Sequence, residues 1–264
     1  MWPEFLRLWL VGLLFALALM AVIWAIAVRI GNAGIVDIAW SAGFAPMAIF
    51  LALASDGYAP RRTLIALLVS LWSLRLGGYL YVRVMSHHPK EDRRYAELRR
   101  SWGQHTNRRM FWFFEMQALL LSVLSVPFLL ICLNRLPQMQ PLEWAGLLLF
   151  MIAITGESLA DRQLARFRNN PGNRGAVCDV GLWRYSRHPN YFFEWLIWVA
   201  YFVLACASPY GWISIFCPAL MLFFLLRVTG IPMTERLSLE SKGAAFAAYQ
   251  RRTSAFVPWF PKHG

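Results

Sequence analysis

Residues 6–28 read LRLWLVGLLFALALMAVIWAIAV, with Arg7 as the one charged side chain. About 20 mostly apolar residues carry a helix across the hydrocarbon of a bilayer. The run is too long for the core of a signal peptide, and cleavage after it would leave a chain still held in the membrane. It is therefore read as a spanning helix. Six further stretches meet the same test, at residues 35–54, 64–82, 110–133, 144–160, 191–207 and 213–228. Ser208-Pro209-Tyr210-Gly211 separates the last two as a tight turn, making them an antiparallel hairpin. The expected fold class is all-α, a bundle of seven transmembrane helices forming one membrane domain over residues 1–264.

Composition agrees. The chain is 58% apolar and only 15% charged, against about 25% charged in ordinary soluble domains. Mean hydropathy is +0.45, which excludes an ordinary soluble enzyme and a disordered chain. The four cysteines, Cys132, Cys178, Cys206 and Cys217, show no CxxC pairing and read as small buried hydrophobes with no metal role.

The 26 Lys and Arg exceed the 14 Asp and Glu, for a net charge of +12. Seven spans place 21 of these bases on one side, in the first, third and fifth connections and the tail, and four on the other. The positive-inside rule makes the richer side, with the C-terminus, cytoplasmic, and a bacterial inner membrane is the expected location. Lipid attraction and orientation account for the excess, and no nucleic-acid motif accompanies it.

Ionisable groups at membrane depth cost about 2.5–3.5 kcal/mol each on insertion scales, so each needs a partner or a purpose. Asp37, Glu115, Glu157, Asp161 and Glu194 are such acids, and Arg75 is the buried base. Asp37 and Glu115 also fit an interfacial position near the end of a span. Glu157, Asp161, Leu164 and Arg168 recur at i, i+4, i+7 and i+11 and share one helical face. A salt-bridge ladder would produce that stripe, but because its acids begin inside the bilayer it points to a filled cavity.

The turn-rich residues 169–175 contain Arg174, and GLWRYSRHPNYFFE follows at 181–194. Pro189 suits the first turn of the sixth span. Arg187, Asn190, Tyr191 and Glu194 then project to one side, and Arg184, Arg187, His188 and Asn190 at a helix start favour a phosphate-bearing ligand. Neither GxGxxG nor GxxxxGK[ST] occurs. Lys90 to Gly103 reads as a charged surface helix able to close over a ligand. Residues 234–252 read as a short helix, and YQRRTSAFVPWFP at 249–261 as an aromatic anchor at the bilayer surface.

The GLWxxSRHPNYFFE segment, the polar stripe before it, the YQRRTSAFVPWFP ending and the Val36-Asp37 to Trp40 motif resemble the steroid 5α-reductase family, in particular its bacterial membrane-embedded branch. The resemblance covers most of the chain and is strongest from about Gly156 onward. It implies a seven-helix fold around NADPH that reduces the C4–C5 double bond of a 3-oxo-Δ4 steroid or similar lipid enone. The first four helices would then lie toward the substrate end, and residues 140–264 would bind the cofactor. By the resemblance the cofactor residues are Arg75, Arg83, Glu157, Asp161, Arg168, Arg174, Tyr185, Arg187, His188, Asn190, Tyr191, Glu194 and Tyr249. Glu157 stands where the family has Asn. Asp37 and Trp72 are the nearest equivalents of its substrate-holding acid and Tyr. The implied partners are the enone and membrane lipid, with the chain working as a monomer.

The chemistry has its own logic. Hydride addition to a conjugated enone drives negative charge onto the ketone oxygen, where a donor of oxyanion-hole type is worth about 3–4 kcal/mol. A carboxylic acid kept protonated by an apolar site can serve. Asp37 is the expected catalytic acid, and Trp40 or Trp72 can offer an indole N–H. Two rival readings share these residues: an S-adenosylmethionine-dependent membrane methyltransferase with a similar His-Pro motif, and a non-catalytic sterol- or lipid-binding protein or transporter.

Overall fold

Hydrocarbon offers nothing to a backbone N–H or C=O, so an apolar chain closes those groups inside helices. A computed structural model describes residues 1–86, 88–228 and 230–262, and among them there are helices and no strand. Among the described residues seven helices are long and apolar enough to cross a membrane. The protein is an all-α, multi-pass membrane bundle.

Two compact units divide the chain, one from Met1–Met139 with Ala207–Gly211, the other from Gln140–Cys206 with Trp212–Gly264. The first holds α1 (Trp2–Ile30), α2 (Ile35–Ala54), α3 (Ala59–Met85), α4 (Arg93–Trp102), α5 (Thr106–Leu124) and α6 (Val126–Cys132). Residues 110–133 do not form one continuous helix. Pro127 has no N–H for the carbonyl four residues back, and the helix breaks at Ser125, whose hydroxyl bonds Leu121 O at 2.8 Å. Pro46 lies inside α2, which continues through it although the Ala42 carbonyl is denied its N–H. There Ser73 of α3 repairs the ladder, accepting from Ala45 N at 3.1 Å and donating to Ser41 O at 2.6 Å.

Phe44 centres this core, with Trp40, Trp72 and Phe128 edge-on at centroid distances of 5.0, 5.2 and 6.3 Å. Arg61 is 1% exposed. It donates to Asn134 O, Leu136 O and Gln138 O, so a buried cation caps the carbonyls of a connection that no helix serves.

The second unit holds α7 (Pro141–Asn169), α8 (Pro189–Cys206), α9 (Phe216–Phe223) and α10 (Ile231–Arg252). A capping box between Gln140 and Glu143 starts α7. The seventh crossing is irregular, running from a 3₁₀ stretch at Gly211–Ile215 through α9 into a π turn at Phe224–Val228. α10 is kinked at Gly243.

α7 and α8 pack antiparallel at close range because α7 presents glycine where α8 presents bulk. A Cβ on Gly146 would stand 2.7 Å from Leu204, and one on Gly156 would stand 2.4 Å from the Phe193 ring. Gly146→Val should force the pair apart and cost about 1–3 kcal/mol. Its check is a lowered melting temperature in detergent relative to Gly78→Ala, where a Cβ meets nothing within 4 Å.

Candidate functional site

In the second unit the polar stripe of α7 meets the first turns of α8. Asn190 donates its amide N–H to Asp161 Oδ1 at 3.3 Å. The other end of that amide, Oδ1, is buried and accepts no hydrogen bond among the described residues. Glu157, one turn deeper on α7, is 3% exposed. Glu194, one turn further along α8, is buried and accepts from Trp198 Nε1 at 3.0 Å. Arg168 at the end of the α7 stripe and Arg174 and Tyr185 ahead of α8 lie on the surface. Trp183 Nε1 donates to Ala160 O at 2.9 Å, and Leu182 N donates to Gln163 Oε1 at 2.9 Å. These bonds dock residues 181–184 on α7.

Arg187 and His188 are not left open for a phosphate. Glu235, 48 residues beyond Arg187, accepts from Arg187 Nε at 2.7 Å, pairs with His188 Nε2 at 3.1 Å and accepts from Gln250 Nε2 at 2.7 Å. Arg187 also donates to Gln250 O and Thr253 O. Burial pushes the Glu235 carboxyl up, but His188, Arg187 and Gln250 outweigh it and hold it at about 2. Tyr191 stacks on His188 at 5.3 Å and shares a hydrogen bond with Thr234 at 3.2 Å. The Tyr249 hydroxyl is buried and donates to Trp183 O. Arg187, His188 and Tyr249 therefore join α10 to the segment before α8. Arg187 Nε and Nη1, His188 Nε2 and the Tyr249 hydroxyl, all expected at the cofactor, thus have protein partners.

The first unit gathers a different cluster. Asp37 accepts from Tyr95 Oη at 2.6 Å on one oxygen and from Arg94 at 2.8 Å on the other. Both Asp37 oxygens are therefore engaged by protein donors, whereas the carboxyl was expected to face the ketone. Asp92 caps α4 through Arg94 N and binds the guanidinium groups of Arg94 and Arg83. Burial raises Asp92, yet the two arginines overcome it and hold the carboxyl well below the usual carboxylate range. Arg83, expected at the cofactor, pairs with Asp92 at 2.9 Å. Glu91 binds Ala33 N at 2.7 Å and Arg99 at 2.8 Å, which pins the charged connection to the start of α2.

Trp72 is fully buried in the Phe44 core, while Arg75 lies half-buried further along α3. Trp40 is half-buried, and its Nε1 is buried with no acceptor. Arg94, Tyr95, Asp92 and Glu235 escaped the sequence reading. Asp92-Arg93-Arg94-Tyr95 was visible as a charged helix start, but nothing local showed that Tyr95 reaches Asp37, 58 positions away.

This geometry can be set beside known proteins. The chain belongs to the family described as "Protein of unknown function (DUF1295)", whose model matches residues 23–253. The matched span includes every candidate residue from Asp37 to Tyr249. "Uncharacterized protein C594.04c" of Schizosaccharomyces pombe is 26% identical over 280 residues, covering 94% of this chain and 79% of its own length. No solved structure matches the chain.

A carboxyl held low in the folded state stabilises above its unfolded value of 4.5 and loses that contribution as pH falls toward about 2. The melting temperature in detergent should accordingly drop across that interval. Glu235→Gln should start lower at neutral pH and show a shallower drop, and an equal acid slope in both proteins would remove Glu235 from this role.

Proposed function

We propose that the chain is an NADPH-dependent reductase of membrane-soluble enones, of the steroid 5α-reductase type. In this reading it works in a bacterial inner membrane, with its basic connections and C-terminus in the cytoplasm. The observation that carries the reading is Asn190. Its N–H is committed to Asp161 and its buried oxygen accepts nothing, in the first turn of a spanning helix. An unsatisfied buried acceptor costs about 1–3 kcal/mol, which a ligand donor such as a nicotinamide carboxamide would offset.

NADPH, when bound, supplies the hydride. The chain's own residues divide the remaining work. Glu157, Asp161 and Asn190 provide acceptors and a fixed amide along the α7 stripe and α8. Arg168 and Arg174, on the surface past the membrane part of α7, carry positive charge suited to phosphates. In the first unit Trp40 offers a donor suited to a ketone oxygen, its indole N–H buried and without an acceptor among the described residues. Asp37, held by Arg94 and Tyr95, anchors α4 to the same α2 turn that carries Trp40.

The test is ligand-dependent melting in detergent. NADPH should raise the melting temperature and S-adenosylmethionine should not, with about 2.7 kcal/mol of stabilisation at a hundredfold excess over Kd. Asn190→Ala should lose most of the NADPH shift. Trp40→Phe should keep that shift while slowing NADPH oxidation with a 3-oxo-Δ4 steroid by about 100-fold. A shift from S-adenosylmethionine alone would replace this reading with the methyltransferase.

A further inference from the structure

Residues 253–262 follow α10 without helical structure, yet they are closely held. Ser186 forms a parallel bridge with Ser254, and Arg187 N donates to Ser254 O at 2.8 Å. Ser186 Oγ donates to Phe256 O at 2.8 Å, and Trp259 N to Tyr185 O at 2.9 Å. Phe256 plugs into a small core with Leu225 and Ile231, against Phe192, Trp195, Leu222 and Leu226. Phe192 and Trp195 belong to the first two turns of the spanning helix α8, so the tail lies at the level where that helix enters the hydrocarbon.

At that level the tail leaves large apolar side chains uncovered. Trp259 is 70% exposed, Phe260 76% and Val257 52%, although the backbone beneath them is bonded in place. Arg184 precedes Tyr185, whose carbonyl holds Trp259 N, and Arg251 and Lys262 flank the tail in sequence; all three are exposed, while Asp179 is answered by Arg252. Exposed Trp at the edge of the hydrocarbon seats between acyl chains and headgroups, and basic side chains just outside attract lipid phosphates.

We propose that residues 253–262 form a binding surface for anionic phospholipid, with Trp259 and Phe260 at the acyl boundary and Arg184, Arg251 and Lys262 on the phosphate. A soluble protein partner fits this surface less well, because the aromatic side chains lie at a depth where lipid reaches them first. The same backbone bonds tie the tail to Tyr185, Ser186 and Arg187, so lipid engagement braces the Glu235 cluster. The inference stands apart from any reductase activity.

The test titrates the full chain in detergent with phosphatidylglycerol or phosphatidylcholine and counts bound lipid by native mass spectrometry. Phosphatidylglycerol should bind more tightly. Arg184→Gln, Arg251→Gln and Lys262→Gln should each weaken it about five-fold and leave phosphatidylcholine unchanged. Trp259→Ala combined with Phe260→Ala should weaken both lipids. These side chains are on the surface, so the melting temperature without lipid should be retained. In nanodiscs, phosphatidylglycerol should slow amide exchange across residues 253–262 relative to phosphatidylcholine alone. Equal affinity for the two lipids, charge variants that bind phosphatidylglycerol like the wild type, or exchange that ignores the headgroup would each overturn the proposal.

Discussion

A polar group inside a bilayer has only the protein, or a ligand, to bond to. Many features of this chain are answers to that constraint. Pro46 and Pro127 break hydrogen-bond ladders, and Ser73 and Ser125 place hydroxyls beside the breaks. The buried Arg61 donates to three carbonyls of an irregular connection. The Asn190 oxygen and the Trp40 N–H, like Glu115 Oε1 and Ser122 Oγ, are buried polar atoms without a hydrogen-bond partner among the described residues.

The arginine-rich segments divide into two kinds once their partners are known. Arg187 and Arg94 each sit at the centre of a carboxylate cluster, and both clusters fasten a surface element to the start of a spanning helix. Arg187 ties α10 and the tail to the lead-in of α8. Arg94 and Tyr95 tie α4 to α2. Their energetic role is to order segments outside the hydrocarbon, where hydrophobic burial is weaker and ion pairs with partly buried carboxylates carry more of the stability. Arg168, Arg174, Arg184 and Arg251 belong to the other kind, directed outward and suited to phosphates.

The relation to proteins described as having unknown function places the chain in a family without lending it a reaction. The functional argument rests on chemistry. Acids and an amide are retained at membrane depth, where they are costly, and one amide oxygen still lacks a donor. A reductant with a carboxamide end answers the second point, and an enone soluble in lipid suits the surroundings.

The number and position of the spans were legible in the sequence, because about 20 apolar residues have one stable arrangement in a bilayer. Pro189 marked the start of α8, and Ser208 to Gly211 marked the hairpin turn, because proline and glycine act locally. The co-facial stripe of Glu157 and Asp161 followed from the 3.6-residue period alone. What the sequence could not reveal was which ions would be used up internally. Nothing near Arg187 shows that Glu235 reaches it from 48 residues away, and nothing near Asp37 shows that Tyr95 and Arg94 fold back onto it. Helical periodicity is a property of neighbouring residues. The partner of a charge is set by how distant helices pack, and only the tertiary structure decides that.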